Sequence, residues 1–106
     1  MSLSLIYVTA ASRDEAVGIG QAVVASRLAA CANVLAPMTS IYWWDGAVNQ
    51  NDEVPLILKT QDTLVEQVIE KVKALHSYDC PCVVAVPITG GNPAFLEWIE
   101  AETAAP

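Results

Sequence analysis

Positive charge is scarce in this chain. Five lysines and arginines stand against twelve aspartates and glutamates, and with a single histidine the formal net charge is −7. A basic face able to hold a phosphate backbone cannot be built from that set, so nucleic acid is excluded as a partner. Charged residues of both signs make up only 16% of the chain, against about 25% in an average domain. Long apolar runs are also missing. No stretch reaches the roughly 18 residues that a membrane helix needs, so no membrane is expected either. The opening M-S-L-S-L-I-Y-V-T-A-A has no basic region ahead of its apolar part, and it reads as a strand rather than a signal peptide. The three cysteines, Cys31, Cys80 and Cys82, are an odd number. They cannot all pair within one chain, and Cys80 and Cys82 are too close to join without strain. Reduced thiols in a cytoplasmic protein are the expectation.

What the chain has in plenty is apolar surface. Of its 106 residues 54% are hydrophobic, which excludes disorder. The length fits a single domain over residues 1–106. A fold of ~100 residues hides only about 60–70% of the area its unfolded chain exposes. The excess points to a partner, and another copy of the same chain is the expected one.

Leu3 to Ala10 is a short, β-branched run and predicts a buried strand. Ser12-Arg13-Asp14-Glu15 has the spacing of a capping box, opening a helix expected to reach about Leu28. Ala32 to Trp44 is rich in strand formers, with Pro37 marking a bulge or an edge. Asp45-Gly46 signals a hairpin. The return strand, Val48 to Lys59, is expected to break at Asn49-Gln50-Asn51-Asp52. Thr63-x-x-Glu66 suggests a second cap, with Thr60 or Asp62 as alternatives, ahead of a helical stripe of Leu64, Val65, Val68, Ile69, Val72 and Leu75. Cys82 to Ile88 reads as a central strand covered on both faces. Asn92 and Pro93 then open a last helix carrying Phe95, Leu96 and Ile99. The order β-α-β-β-α-β plus a terminal helix predicts an α+β, ferredoxin-like split βαβ sandwich, with two helices on one sheet face.

Such a sheet has a second face that something must cover. Ser40-Ile41-Tyr42-Trp43-Trp44 places bulky groups at consecutive positions, so Ile41 and Trp43 share one face while Tyr42 and Trp44 share the other. Both faces of the hairpin are apolar. Burial of Ile41, Trp43 and Trp44 against a neighbouring subunit is the expected outcome.

The segments R-L-A-A-C-A-N-V (Arg27 to Val34), S-I-Y-W-W-D-G (Ser40 to Gly46), L-I-L-K-T (Leu56 to Thr60), L-H-S-Y (Leu75 to Tyr78), V-P-I (Val86 to Ile88) and G-N-P-A-F-L-E-W-I (Gly91 to Ile99) resemble the CutA divalent-cation tolerance proteins. The match runs in order over nearly the whole chain. The resemblance implies a homotrimer in which extended hairpins join edge to edge, an architecture similar to the PII signalling trimers. It also implies a link to copper and other divalent metals and a cytoplasmic home, but no established catalytic reaction. The chain departs from the family pattern at Ala47, where a basic residue is usual, and at Cys82, where a glutamate is usual. Family copper ligation draws on a first-strand cysteine and on histidines before the tyrosine. Ile6-Tyr7-Val8-Thr9 has no cysteine and Leu75 replaces one histidine, so only His76 carries over.

Three readings of the chemistry follow. His76, Cys80 and Cys82 lie within seven residues and offer soft ligands suited to copper or another divalent metal, with Cys31 a distant fourth. Alternatively, Lys59 holds a small anion in a cleft between subunits, with Tyr42, Trp44, Tyr78 and His76 around it, and the trimer signals to an unidentified protein partner. In the third reading the trimer is only a scaffold. Nucleophilic catalysis finds no arrangement to use, so a non-enzyme is expected. Asp52 and Glu53 read as solvated hairpin acids, and the Thr89-Gly90-Gly91-Asn92 turn as a plain turn that could hold an anion.

Overall fold

A computed structural model describes residues 2–103. The chain forms a mixed α+β fold, an antiparallel sheet with three helices. The elements run β1 (Leu3–Ala10), α1 (Arg13–Ala25), β2 (Cys31–Val34), β3 (Met38–Trp44), β4 (Ala47–Gln61), a 3-10 turn (Asp62–Leu64), α2 (Val65–Leu75), β5 (Val83–Ile88) and α3 (Pro93–Glu102). The sheet order is β2-β4-β1-β5, with β3 continuing the β2 side of β4.

Ser12 caps α1 as its spacing requires, its hydroxyl accepting the Glu15 amide at 3.1 Å. The reciprocal bond is shifted by one residue, because Glu15 Oε1 accepts from the Ala11 amide at 3.0 Å. The helix stops three residues short of Leu28. Arg27 adopts φ 61°, and the Arg27 and Leu28 amides turn back to Val24 O and Val23 O. That is a Schellman stop with arginine where glycine is usual.

Pro37 marks the break between β2 and β3, and β4 runs past it without interruption. The predicted break at Asn49–Asp52 is absent. Those residues are paired with Tyr42, Ile41, Ser40 and Thr39, and as the outer half of a ribbon they meet water rather than core. Asp45 and Gly46, at φ 53° and 77°, form the tight turn that the sequence predicted. The inner half of β4 lies between β1 and β2, but Ala47–Glu53 pairs only with β3. The hairpin therefore juts out, and the molecule measures 44 × 25 × 23 Å.

No side-chain cap forms at Thr63; Leu64 sits at the cap of α2, and Asp62 instead accepts the Ser4 hydroxyl. Asn92 caps α3 through its own carboxamide, with Pro93 at the first position, as expected.

The main core lies between one sheet face and α1 and α2, where Ile6, Val8, Ile19, Val23, Leu56, Leu58, Val68 and Val72 are buried. A smaller cluster of Leu3, Ala30 and Ile99 sits beneath α3. The expected central strand is a correction: β5 is an edge strand, and β1 and β4 are central. Its apolar run reflects the sheet face opposite α1 and α2. There Val84 and Val86 are each 49% exposed, and Leu5, Tyr7 and Ile57 are half-buried.

Candidate functional site

Period-two alternation gathers one set of side chains at the root of the hairpin. Tyr7 and Thr9 of β1, Met38, Ser40, Tyr42 and Trp44 of β3, and Glu53 of β4 face the same way. The loop Ser77–Cys82 closes the far side, and together they line a cleft of about 650 Å³.

His76 fixes that loop. Its ring is fully shielded from solvent, with Nε2 donating to the Thr9 carbonyl at 2.8 Å and Nδ1 accepting the Tyr78 amide at 3.0 Å. Glu15 accepts the Ser77 amide at 3.1 Å and stands 3.5 Å from Nδ1. Burial pushes the Glu15 carboxyl up, but the hydrogen bonds from the Ala11 amide and from Ser77 hold it below the ordinary value. Glu15, in the first turn of α1, thus also anchors the cleft loop.

The Tyr78 ring packs tilted against His76, centroids 4.7 Å apart, and its hydroxyl donates to Glu53 at 3.1 Å. Its phenol is pushed up to about 12, first by burial, then by Glu53 and by the charges of Glu15 and Tyr42. The Cys82 thiol is also raised, by burial and by Glu53, against a lowering hydrogen bond with Thr9.

The expected residues divide. Tyr42, Trp44, Tyr78, Cys80 and Cys82 line this cleft. His76 lies behind it with both ring nitrogens engaged, so its bonds are spent on the backbone. Cys31 is placed elsewhere: it pairs with Lys59 at the opposite edge of the sheet, while Cys82 lies beside Thr9 near β5. Three strand spacings separate those edges, about 14 Å. Among the described residues no three His, Cys, Asp or Glu side chains group as a metal site, so the four expected ligands do not form one centre within a subunit.

Lys59 is likewise absent from the cleft. Its ammonium donates to Asn33 Oδ1 at 2.9 Å and lies 5.6 Å over the Phe95 ring. It borders a second, smaller hollow of about 350 Å³ with Gly90, Gly91 and Asn92. The residues expected at a subunit interface are open in the single chain, with Ile41 68%, Trp43 74% and Trp44 60% exposed.

The sequence reading overlooked Tyr7, Met38 and Glu53. Met38 and Tyr7 share the parity of Tyr42 and of Thr9, a signal available once the strands are registered. Glu53, read as a solvated loop acid, lies on β4 and is bonded to Tyr78.

A family model described as "CutA1 divalent ion tolerance protein" matches residues 4–102. The chain belongs to the CutA1 family. It is 39% identical over 99 residues to the chloroplastic CutA 1 protein of Oryza sativa subsp. japonica, covering 93% of this chain but only 56%, about half, of the rice protein's length. Among solved structures, the divalent cation tolerance protein of Thermus thermophilus superposes with a TM-score of 0.94 at 39% identity, covering 96% of this chain and 99% of that one. A CutA of Archaeoglobus fulgidus gives 0.92 at 39% identity, covering 95% and 98%. That protein is described as periplasmic and the rice relative as chloroplastic. The cytoplasmic expectation is therefore overturned, because CutA1 family membership does not carry one compartment with it. No described helix is long and apolar enough to cross a membrane.

Proposed function

We propose that this chain acts in divalent-cation tolerance as a homotrimeric binding protein rather than an enzyme, and that the cleft at the hairpin root takes up soft or divalent cations, copper among them, weakly and conditionally. The observation that carries this reading is the cleft's polar lining. Its charged groups are Glu53 and Asp79, its sulfur groups are Cys80, Cys82 and Met38, and among the described residues no lysine, arginine or histidine lines it. Thiolates and a thioether suit Cu(I), and carboxylates suit harder divalent ions. Weakness follows from the ligand count, since one subunit groups fewer than three strong ligands. Conditionality follows from Cys82, whose raised thiol must lose its proton to bind.

Assembly is supported by the exposed Ile41, Trp43 and Trp44 and by the uncovered Val84 and Val86. A lone two-stranded ribbon is marginal in water, and neighbouring copies supply the missing cover. Sedimentation equilibrium tests it: three times the chain mass of 11.3 kDa is expected, and a monomer at micromolar concentration overturns it. Titration with Cu(I) and Zn(II), parent against a Cys80→Ser/Cys82→Ser variant, tests the site. Equal affinity of the two proteins overturns it.

The alternative, a PII-like sensor of a small anionic ligand, draws its support from a different place. Lys59 lies beside Gly90, Gly91 and the N-terminus of α3. There an anion would meet an ammonium, whereas the main cleft would set it against Glu53 and Asp79.

A further inference from the structure

The main cleft has more aromatic surface than a metal ion needs. Tyr7, Tyr42, Trp44 and Tyr78 line it together with Glu53 and Asp79. Its volume of about 650 Å³ falls within the roughly 300–1,000 Å³ usual for small-molecule sites. Tyr42 and Tyr78 are each 37% exposed in the single chain; Trp44, 60% exposed there, is also expected to meet a neighbouring copy, which would close the cleft over a ligand seated on its ring.

We propose that this cleft binds a small organic cation, an alkylated ammonium, seated among the rings of Tyr42, Trp44 and Tyr78 with its charge facing Glu53. Aromatic faces carry negative potential and attract a cation that sheds water easily, as alkylated ammoniums do. Glu53 supplies the full countercharge; one of its oxygens is bonded to Tyr78, which orients the carboxylate. Three exclusions narrow the ligand class. An anion meets two carboxylates and no cationic side chain. A neutral apolar molecule gains nothing from Glu53. A small, strongly hydrated ion makes little use of the rings. Burial first, and then Glu53, raises both the Tyr78 phenol and the Cys82 thiol. The proposal rests on the same acidic cleft as the metal reading, yet it uses none of the sulfur.

Choline is the probe, and 3,3-dimethylbutan-1-ol is its uncharged counterpart of the same shape. Calorimetry on the assembled protein, with its mass checked alongside, is expected to show choline binding at least about tenfold tighter than the alcohol. Acetate should not bind. Glu53→Gln and Trp44→Leu should each weaken choline about tenfold, with the circular dichroism and the assembled mass of the parent retained. Cys80→Ser/Cys82→Ser should leave choline binding unchanged while removing Cu(I) binding. Equal affinity for choline and the alcohol overturns the proposal, as does an unaffected Glu53→Gln or the absence of any choline binding. Choline binding by a parent protein that takes up no Cu(I) or Zn(II) overturns only the metal reading, and metal uptake by a parent that does not bind choline overturns only this one.

Discussion

Glu53 and Tyr78 join the root of the hairpin to the loop before β5 through one hydrogen bond of 3.1 Å. Burial and that carboxylate raise the phenol from 10.0 to about 12. A group whose folded value is raised holds its proton longer in the folded state, so the linked stability is complete below the unfolded value and falls as pH rises through the folded one. Melting curves should therefore lose stability between pH 10 and about 12. Tyr78→Phe should flatten that part of the profile. An unchanged alkaline profile in Tyr78→Phe would show that another group governs it.

The His76 ring, shielded from solvent, joins β1 to the same loop through the Thr9 carbonyl and the Tyr78 amide. Its removal leaves a cavity and strands both backbone groups. His76→Ala should cost about 2–4 kcal/mol in urea unfolding. Glu15→Gln keeps most of the packing and should cost about 1 kcal/mol. If the two cost the same, the cavity and the lost ring bonds carry little.

Arg27 ends α1 in the left-handed region and reaches Glu102 Oε2 at 3.3 Å, with both side chains about half exposed. An exposed pair contributes roughly 0–1 kcal/mol, whereas a side chain at positive φ costs about 1 kcal/mol relative to glycine. Arg27→Gly should be close to neutral. Arg27→Ala should be about 1 kcal/mol less stable than Arg27→Gly, since both lose the pair and only one relieves the backbone. Equal melting of the two variants would contradict this ordering.

Trp43 and Val48 are opposite one another on the outer ribbon, and both are exposed in the single chain. Trp43→Glu removes nothing from the core of one subunit. It should leave the circular dichroism intact and lower the mass measured by light scattering toward that of a monomer. A trimer of unchanged mass would place the interface elsewhere.

Local signals carried much of this fold. The caps at Ser12 and Asn92, the Asp45-Gly46 turn and the strand from Leu3 to Ala10 are each set by a few neighbouring residues, and each appears where its residues stand. The failures are of another kind. Cys82 to Ile88 looks like a central strand because apolar composition reports burial without saying what does the burying. Asn49 to Asp52 looks like a break because polarity suggests a loop, although a ribbon in water pairs polar residues equally well. His76, Cys80 and Cys82 are close in sequence, but the His76 ring turns back to Thr9 while the thiols face the cleft. Lys59 does not join Tyr78, because six residues along β4 separate it from Glu53, Tyr78's partner. Strand register, which only the fold supplies, assembled Tyr7, Met38 and Glu53 at one site.

The raised Cys82 thiol gives metal uptake a direction in pH. Burial and Glu53 hold its proton above the ordinary value of 9.0, so at neutral pH a metal must displace that proton. Apparent affinity should rise by at least about tenfold per pH unit between pH 6 and 8, one proton being released for each thiol that binds. Glu53→Gln removes one cause of the raised value and should strengthen Cu(I) binding at pH 6, unless the carboxylate itself ligates, in which case binding weakens. Competition titrations against a chelator, run at several pH values on the parent, Cys82→Ser and Glu53→Gln, separate these outcomes. Affinity that does not change with pH would mean that no thiol takes part.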